Sequence, residues 1–452
     1  MRDSELLSTK RCEEIFLAVQ AAAFRHGIHE IEVGISASSE SLTRFSNNAI
    51  GQNVSERSIS VSVRVQENGR TARASTNRLH RDGISAVVDE AVTMTRASTP
   101  AKHLLPLYEG PAQQPTSRWS SETAASTPDE RAHSVAEAIE HIEARGGVAA
   151  GIYAAAANAE VLLNSRGLLC QYDDTLSTFS ITAMQGDSSG WAKATSAAHG
   201  GVRPAELAQQ AALKASLGLH PREIPPGEYT VILEPAAVLD LVGQIFGDFS
   251  ATALEEQRSF LNERMEQKLF GSNINIYDDC AFPLQTGTPF DGEGVPRSAL
   301  TLVRCGVPKA LGYSRASAAR AGVAPTGHGL PLPNDVGEAP VNIVFAGGTT
   351  SLEDMIRNTR RGILVTRFWY IREVEPYDKV MTGMTRDGTF LIENGEVAGG
   401  IRNLRFNQSV IDMLKNVEAL SPAVRSSGEE AFDMVVPALK ANGFRFTEVT
   451  RY

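Results

Sequence analysis

The chain has 452 residues, more than one hydrophobic core usually supports, so two domains are expected. Hydrophobic residues make up 42% and charged residues 21%, and the 38 glycines and 21 prolines predict the many turns of a sheet-rich fold. With 43 Lys and Arg against 53 Asp and Glu, the net charge is −10, which argues against nucleic acid or an anionic membrane as the partner.

Nothing in the sequence predicts export or membrane insertion. The N-terminal segment carries acidic residues where a signal peptide needs a basic start and an apolar run, and no stretch approaches about 18 consecutive apolar residues. The four cysteines lie far apart and form no CxxC pair, which argues against a zinc ribbon and a disulfide framework; they are Cys12, Cys170, Cys280 and Cys305. We therefore expect a reduced, cytoplasmic protein.

The first half of the chain combines helical and strand-like patterns. Apolar residues at helical spacing predict helices over residues 4–26, 83–98, 129–145 and 204–217. Strand-like runs cover residues 31–36, 41–46, 59–65, 70–75, 148–156, 160–164 and 176–184. The run ISVSVRV alternates strictly, which indicates a sheet with one solvated face, and Asn68-Gly69 is typical of a hairpin turn. Residues 100–128 are rich in Pro, Ser and Thr and predict a loop.

The second half begins after a proline-rich connection at residues 221–227. Strands are predicted over residues 229–233, 273–277, 300–305, 341–345 and 362–371, and helices over residues 236–249, 259–270 and 351–360. Because strands and helices do not alternate regularly, we predict an α+β fold for both halves, each with a largely antiparallel or mixed sheet packed with helices. The predicted domains are residues 1–220 and 221–452.

Nine histidines are the first candidates for a metal site or a general base. His133, Glu137 and His141 recur every four residues on a predicted helix and share one face, and such ligands suit zinc. That helix is polar over most of its surface, so a solvated face is the preferred interpretation. His26 and His29 lie at a helix-to-strand connection, where neighbouring histidines are usually incidental.

Three loops of the second half carry residues that could bind a ligand. Asp291 and Glu293 alternate with glycine, and His328 lies on a glycine-rich loop that suits a ligand or a proton shuttle. The Gly347-Gly348 turn precedes a predicted helix and could offer N–H groups to an anion, although it lacks the lysine of phosphate loops. For all three loops the plainer interpretation is a solvated turn or a helix cap. No GxSxG elbow and no GxxxxGK[ST] motif is present.

Long segments of the chain resemble one family in an ordered series. The first half has TRFSNNAIGQNVSERSISVSVRVQENGRTARASTNRL, and the second has PPGEYTVILEPAAV, SFLNERMEQKLFGSNINIYDD, PFDGEGVPRSALTLVRCGVPKALGYSRASAARAG, PTGHG, GILVTRF and DGTFLIENGEVAGGIRNLRF. This series resembles the TldD/PmbA family along nearly the full length. The segment FWYIREVEPYDKVMTGMTRDG departs from the pattern of PmbA.

The resemblance implies a two-domain α+β protein of a family long called modulators of DNA gyrase. Its members are associated with a cytoplasmic zinc peptidase of two homologous subunits, TldD and TldE (or PmbA), which degrades unfolded peptides and trims leader peptides of ribosomally made natural products. In the TldD-type subunit, the two histidines of an HExxxH motif and a later cysteine hold zinc. The glutamate of that motif is the base for the attacking water.

The motif positions are degenerate in this chain. Gly247 matches the glycine that precedes the second histidine, which sets the register of the alignment. Gly243 then stands at the first histidine, Gln244 at the glutamate and Asp248 at the second histidine, while the cysteine position falls near Thr366. Only Asp248 could coordinate a metal, and one carboxylate does not make a catalytic site.

The resemblance therefore implies a non-catalytic, TldE/PmbA-type subunit without a cofactor of its own. Its partner would be a zinc-bearing TldD-type subunit, and its substrate an unfolded or precursor peptide; a membrane or nucleic acid is not expected. Candidate substrate-binding residues are Asp291, Glu293, His328, Gly347 and Gly348, because loops can offer backbone hydrogen bonds to an added strand. Two alternatives stay open. One is an independent hydrolase in which residues such as His328 and Asp248 bind a metal, and the other is a non-enzymatic binding or regulatory protein.

Overall fold

A computed structural model describes residues 6–102, 104–110 and 116–450. Its helices are α1 Thr9–Phe24, α2 Arg81–Ala97, α3 Ser121–Ala124, α4 Pro128–Glu143, α5 Pro204–Leu217, α6 Pro235–Val242, α7 Ala251–Glu255, α8 Arg315–Ala321, α9 Leu352–Arg357 and α10 Val410–Lys415. Short 3₁₀ segments cover His199–Gly201 and Gly243–Phe249. Within the described residues, no helix is both long and apolar enough to cross a bilayer.

The first sheet is built from long strands of the first half. These are β1 Glu30–Ser46, β2 Ala49–Glu67, β3 Arg70–Thr76, β4 Thr116–Arg118, β5 Val148–Asn164, β6 Leu169–Gln185 and β7 Ser188–Ser196. Their order is β3-β2-β1-β5-β6-β4, with β7 also paired to β6. All pairs are antiparallel except β4 with β6. The runs at 31–36 and 41–46 are parts of one strand, β1, and those at 148–156 and 160–164 are parts of β5.

The two faces of this sheet have different neighbours. Odd-numbered residues of β1 and β5, such as Val33 and Tyr153, are buried in cores formed with α1 and α2 at one end and with α4 and α5 at the other. Even-numbered residues face the opposite side, where Tyr172 of β6 packs with Phe290 from the second half of the chain. The alternation that predicts a half-solvated sheet thus separates a helix-covered face from a face that meets the second half.

The second half forms two further sheets around one large core. One has the order β11-β10-β9-β12-β19-β18, and the other has β13-β8-β20-β16-β14-β15 with β17 paired to β20. Their strands are β8 Gly227–Leu233, β9 Ile276–Asp278, β10 Leu300–Arg304, β11 Val307–Pro308, β12 Ile343–Phe345, β13 Arg361–Glu375, β14 Val380–Glu393, β15 Glu396–Gly400, β16 Leu404–Ser409, β17 Val417–Leu420, β18 Val424–Ser426, β19 Met434–Val436 and β20 Leu439–Val449. Both sheets are mixed, since β12–β19 and β8–β13 are parallel pairs. The α+β prediction is confirmed.

One predicted helix is absent and another is shorter than expected. Residues 259–270 form turns, because local side chains bind their backbone: the Ser259 N–H donates to Asn262 Oδ1 at 3.1 Å and the Phe260 N–H to Asp248 Oδ1 at 3.0 Å. Glu263 and Glu266 have φ of 61°, which a helix cannot contain. The helix predicted over residues 236–249 is α-helical only to Val242 and continues as a 3₁₀ segment.

The strands of the first sheet all precede residue 197, and those of the other two sheets follow residue 226. The predicted boundary at residues 220 and 221 falls between these groups, and the division into two domains stays a prediction. Contacts join the halves, including a 2.6 Å hydrogen bond from Ser189 Oγ to Asp387 and a 2.7 Å bond from Lys193 Nζ to the Gly428 carbonyl.

Candidate functional site

The degenerate motif begins where α6 ends. Gly243 is the first residue of the 3₁₀ segment, and its Cα packs directly against the chain at Ala431. A Cβ added at this position would lie 2.4 Å from the Ala431 Cβ and 3.0 Å from Met434 Cε. A histidine therefore does not fit at position 243 unless the segment around Ala431 moves.

Gln244 connects the same two parts of the structure. Its side-chain Nε2 donates to the Asp240 carbonyl at 3.1 Å and to the Glu430 carbonyl at 3.3 Å. A neutral amide whose N–H groups are held by two carbonyls cannot accept a proton from water. Gln244 thus has a structural role where the HExxxH pattern has its base.

Asp248 is engaged in a buried ion pair. Its Oδ2 lies 2.5 Å from Lys379 Nζ, its Oδ1 accepts the Phe260 N–H at 3.0 Å, and its side chain is 9% exposed. Burial raises the pKa of Asp248, while Lys379 opposes that shift. Lys379 also contacts Glu373 at 2.7 Å, so one buried ammonium pairs with two carboxylates. The charge of Asp248 is therefore balanced by a lysine of its own chain.

Thr366 lies inside β13 and is fully buried. Its hydroxyl donates to Glu234 Oε1 at 3.4 Å, and a Cβ at Gly388 would lie 2.5 Å from this hydroxyl oxygen. Glu234 is held in turn by Lys214 at 2.6 Å. The position of the expected cysteine is therefore closely packed and bonded to a carboxylate that already has a cationic partner.

Asp240, one helical turn before Gly243, is an acid that the motif comparison did not reveal. It is fully buried, its Oδ1 accepts the N–H groups of Glu429 and Glu430 at 3.0 and 2.9 Å, and its Oδ2 has no hydrogen-bond partner among the described residues. Burial raises its pKa to about 6, although these N–H groups and the nearby Arg367 favour the charged form. No local sequence signal distinguishes it from other acids on apolar helices.

The acidic loop at residues 289–296 is folded inward. Asp291 Oδ1 accepts the N–H groups of Glu293 and Val295 at 2.9 and 3.0 Å, and its Oδ2 accepts the Gly329 N–H at 2.8 Å. Glu293 pairs with Arg315 at 3.3 Å. Burial raises the pKa of both acids, which are each 3% exposed. In this structure they join two loops of their own chain, and their role in substrate binding stays a prediction.

His328 lies in a Thr-His-Asp series that is closed to solvent. Its Nδ1 is 2.9 Å from Thr326 Oγ1 and its Nε2 is 3.1 Å from Asp278 Oδ1, and its side chain is fully buried. The Thr326 hydroxyl is also 3.2 Å from the Tyr313 carbonyl and accepts the Tyr313 N–H at 2.8 Å. A hydroxyl committed in this way is not a free nucleophile. A substrate-binding role for His328 would require this buried arrangement to open, and it stays a prediction.

The Gly347-Gly348 turn is explained by close packing. A Cβ on Gly347 would lie 2.4 Å from the Ala423 N, and one on Gly348 would lie 2.6 Å from the Leu420 carbonyl oxygen. The Gly348 N–H donates to the Ser421 carbonyl at 2.8 Å, so it is not available to an anion. Ser351 caps α9 by accepting the Asp354 N–H. Binding of substrate at this turn also stays a prediction.

A cleft of about 640 Å³ opens beside the 3₁₀ segment. Its walls come from α7, α8 and the turns at residues 257–265, with Leu254, Leu261, Met265 and Leu311 as apolar lining and the Glu255–Arg320 ion pair at 2.8 Å among its charged residues. This volume lies within the range of ligand pockets in proteins. The sequence did not indicate this cleft, because its lining comes from two separate segments, residues 251–265 and 311–321.

Two profiles of one family match the chain. Residues 226–448 match the PmbA/TldA metallopeptidase C-terminal domain, and residues 31–95 match PmbA/TldA metallopeptidase domain 1. The chain belongs to the PmbA/TldD family. The resemblance inferred from the ordered segments is confirmed.

Curated relatives from this family match part of the chain. A metalloprotease of Methanothermobacter thermautotrophicus is 23% identical over 286 residues, covering 59% of this chain and 61% of the relative. Two proteins of Haemophilus influenzae, a metalloprotease PmbA homologue and a metalloprotease TldD homologue, are each 23% identical and are covered to 51% and 46%. The chain thus spans about half to three fifths of the length of these relatives, and identity does not separate the two subunit types.

Solved structures share the fold. TldE from Thermococcus kodakarensis superposes with a TM-score of 0.85 at 19% identity, covering 95% of this chain and all of that one. A structure from Thermotoga maritima described as a candidate modulator of a DNA gyrase gives a TM-score of 0.84 at 21% identity, covering 96% and 100%. At these identities the similarity establishes the fold alone.

The residues of this PmbA/TldD protein do not fit the zinc of an HExxxH site. Position 243 has no room for histidine, Gln244 is bonded to carbonyls, Asp248 is neutralised by Lys379, and Thr366 offers no thiolate. In the part of the chain that the structure describes, no group of three or more His, Cys, Asp or Glu residues could hold a metal ion. The alternative pair is not assembled there either, because His328 lies against Asp278 and Asp248 against Lys379.

Proposed function

We propose that this chain is the non-catalytic subunit of a peptide-processing metallopeptidase and works with a zinc-bearing, TldD-type subunit. Its substrates would be unfolded peptides or precursor peptides of ribosomally made natural products. The observation that carries the proposal is the Asp248–Lys379 pair, in which a buried ammonium 2.5 Å from Oδ2 holds the one motif position that retains a metal-ligating side chain. Zinc binding here would require that pair to break, which costs several kcal/mol.

Exposed aromatic side chains near the motif support a contact surface for a partner. Tyr370 and Phe432 are 51% and 41% exposed, and both belong to the segments that Glu430 joins. The Glu430 carboxylate accepts the Tyr370 N–H at 2.7 Å, and its carbonyl accepts the Gln244 amide. Large aromatic side chains exposed near each other are typical of surfaces that bind another protein.

The first experiment tests the division of roles between subunits. The chain, a TldD-type subunit and their mixture are purified, and zinc content and cleavage of an unfolded peptide are measured for each. We expect no stoichiometric zinc and no cleavage for the chain alone, zinc in the partner, and at least tenfold faster cleavage by the mixture than by the partner alone. Stoichiometric zinc and cleavage by the chain alone would overturn the proposal, and so would a mixture no faster than the partner.

A second experiment tests the contact surface. The variant Tyr370→Ser/Phe432→Ser is compared with Leu17→Ser, which also removes an exposed apolar side chain (61% exposed) but on α1. We expect the double variant to weaken pairing with the TldD-type subunit by about 100-fold, since buried aromatic anchors dominate interface energies, and the control to leave it unchanged. Equal pairing by both variants would place the partner elsewhere.

A further inference from the structure

A small polar cavity lies between the two halves, away from the degenerate motif. Its volume is about 290 Å³, and it is formed by the face of the first sheet opposite the helices and by residues 286–288 of the second half. Tyr172 fixes the second-half segment over the sheet, because its hydroxyl donates to the Thr286 carbonyl. Residues 286–288 directly precede the acidic loop at residues 289–296 in the sequence.

Two adjacent rungs of the sheet form the floor. In one rung, Ser38 of β1 lies between Ser58 of β2 and Asn158 of β5, and Asn158 is opposite Asp174 of β6. In the next rung, Ser36 is opposite Glu160, and Glu160 is opposite Tyr172. Because directly paired residues point to the same face, Glu160 and Asp174 are diagonal neighbours about 7–8 Å apart at their Cα atoms. These polar side chains therefore all face the cavity.

The protein compensates the charges of the two carboxylates only in part. Glu160 is solvent-exposed within the recess and has no hydrogen-bond or ion-pair partner among the described residues, while Asp174 accepts one amide hydrogen bond from Asn158 at 2.8 Å. Arg297 acts on the charge of Glu160 and Arg425 on that of Asp174, but neither arginine forms an ion pair with these acids among the described residues. Arg425 pairs with Asp433 at 3.3 Å, and Arg297 donates to the Gly327 carbonyl at 3.1 Å. Two like charges side by side are destabilising unless something cationic compensates them.

The pKa values of both acids agree with this geometry. Desolvation by the walls of the recess raises the pKa of Glu160 and the charge of Asp174 raises it further, while Arg297 opposes the shift. Burial also raises the pKa of Asp174, despite the hydrogen bond from Asn158. A perturbed pair of acids in a recess is a common property of binding sites.

The geometry points to a binding site for a primary ammonium group, in which Glu160 and Asp174 supply the charge and the hydroxyl groups of Ser36 and Thr288 supply hydrogen-bond acceptors. An ammonium group has three N–H donors, and the surrounding carboxylate and hydroxyl oxygens suit them. A metal ion fits less well, because the described residues contain no group of three metal-ligating acids, histidines or cysteines. An anion would be repelled.

The proposed function supplies two sources of such a group, and this part of the inference rests on it. The α-amino group of a peptide and the side-chain ammonium of a lysine have the same binding chemistry. About 290 Å³ accommodates the amino-terminal residue of a peptide or a lysine side chain, but not a folded domain. The cavity would thus hold one end or one side chain of a peptide.

The test uses the chain alone, without a partner subunit, and measures binding by isothermal titration calorimetry. The probes are Ala-Ala-Ala amide with a free α-amino group, its N-acetyl form, and N-acetyl-Ala-Lys-Ala amide. We expect the N-acetyl, lysine-free peptide to bind at least tenfold more weakly than one or both of the others, and the stronger of those two identifies the source of the ammonium group. Equal binding of all three probes, or no binding of any, would overturn the inference.

Matched variants locate the site. Glu160→Gln and Asp174→Asn keep the shape of each side chain, and each should weaken ammonium binding about tenfold because one of two attracting charges is lost. Asp173→Asn is the control, because it removes the same charge from the neighbouring residue, which points to the opposite face of β6. Ser58→Leu, on an exposed edge position of the cavity wall, should block binding by volume if a carboxylate variant fails to fold. Unchanged affinity in Glu160→Gln, Asp174→Asn and Ser58→Leu would exclude this cavity.

Calcium chloride alone is the competing probe. Displacement of the bound peptide by Ca²⁺ at equimolar concentration would identify the cavity as a metal site instead and overturn the inference. Because every arm uses the isolated chain, its failure is distinguishable from a failure of the two-subunit proposal, which depends on the mixed-subunit cleavage assay.

Discussion

The acidic residue of the degenerate motif and the acidic residues of the cavity proposed to bind an ammonium group differ in how their charges are compensated. At the motif, Asp248 is 9% exposed and paired with a lysine at 2.5 Å. At the cavity, Glu160 is exposed in a recess, forms no ion pair in the described chain, and lies beside a second acid. One acid is neutralised by the protein itself, whereas the other keeps its charge for a ligand.

This difference separates residues that build the fold from residues that are free to bind. A buried carboxylate must be paired or hydrogen-bonded, and once it is, it cannot also bind a metal or a peptide without losing that partner. The same reasoning covers Asp291, Glu293 and His328, whose polar atoms bind their own chain. Predictions that remove a charge at each place test the comparison directly.

The largest effect is expected when Asp248 loses its partner. Lys379→Met leaves a buried, unpaired carboxylate, and we expect the free energy of unfolding to fall by about 3–5 kcal/mol in urea titrations at pH 7. The double variant Asp248→Asn/Lys379→Met removes both charges and should recover at least half of that loss. Arg258→Met is the control: it breaks an ion pair whose side chains are 53% and 51% exposed, and it should cost under about 1 kcal/mol. Equal losses in Lys379→Met and Arg258→Met would show that the motif pair is not a buried one.

A smaller effect with a defined pH dependence is expected at the His328–Asp278 pair. Burial alone would raise the pKa of Asp278, but the contact with His328 at 3.1 Å and the N–H of Asn342 bring it below its usual value. A lowered pKa in the folded state stabilises the fold above the unfolded pKa, and that stabilisation is lost as the pH falls through the folded value. Asp278→Asn should therefore cost about 2 kcal/mol at pH 7.

The pH profile distinguishes this charge effect from a simple packing defect. The difference in unfolding free energy between wild type and Asp278→Asn should shrink as the pH falls below about 4, where Asp278 of the unfolded chain takes up a proton, and should be lost below the lowered pKa of the folded state. A cost that stays constant from pH 7 to pH 3 would mean that His328 does not stabilise an ionised Asp278.

The pH dependence of stability that Asp240 causes should be opposite to that of Asp278. Burial raises its pKa to about 6, so its ionised form destabilises the fold, and stability falls as the pH rises from the unfolded value near 4 to above 6. Asp240→Asn keeps an oxygen for the Glu429 and Glu430 N–H groups and should increase the unfolding free energy by about 1 kcal/mol at pH 8. Below pH 4 the gain should vanish. A destabilised variant at pH 8 would indicate that the charge of Asp240 is compensated by Arg367.

Regular elements with strong local patterns were predictable from the sequence. The helix over residues 204–217 was predicted with the bounds of α5, because Pro204 starts it and apolar residues such as Leu207 and Ala211 recur on one face. The loss of the motif residues at positions 243, 244, 248 and 366 was also predictable, since it depends only on the register of the alignment with the HExxxH motif. Strand lengths were less predictable, because Ser-rich stretches such as 36–41 resemble turns but continue β1.

What the sequence could not supply is the set of partners distant in the chain. Lys379 lies 131 residues from Asp248, and no local pattern connects them. The missed turn at residues 259–270 depends on the Asp248 carboxylate, so its helical periodicity was overridden by a tertiary contact. Glu160 stands as the one acid in the run AAAANAEVLLN, which was a signal, but its proximity to Asp174 follows from the register of β5 with β6.

The smallest effect on stability is expected when an acid of the cavity is replaced. Its sign, a gain instead of a loss, distinguishes these acids from Asp248. Removing one of two neighbouring acids relieves repulsion, so Glu160→Gln and Asp174→Asn should each raise the unfolding free energy slightly at pH 7. Because Glu160 is exposed, solvent screening limits the gain to under about 0.5 kcal/mol. Urea titrations of both variants beside Asp173→Asn, which changes the net charge equally, measure the difference. A loss of more than about 1 kcal/mol in either cavity variant would mean that the fold depends on these acids, as it depends on Asp248, and that they are not reserved for a ligand.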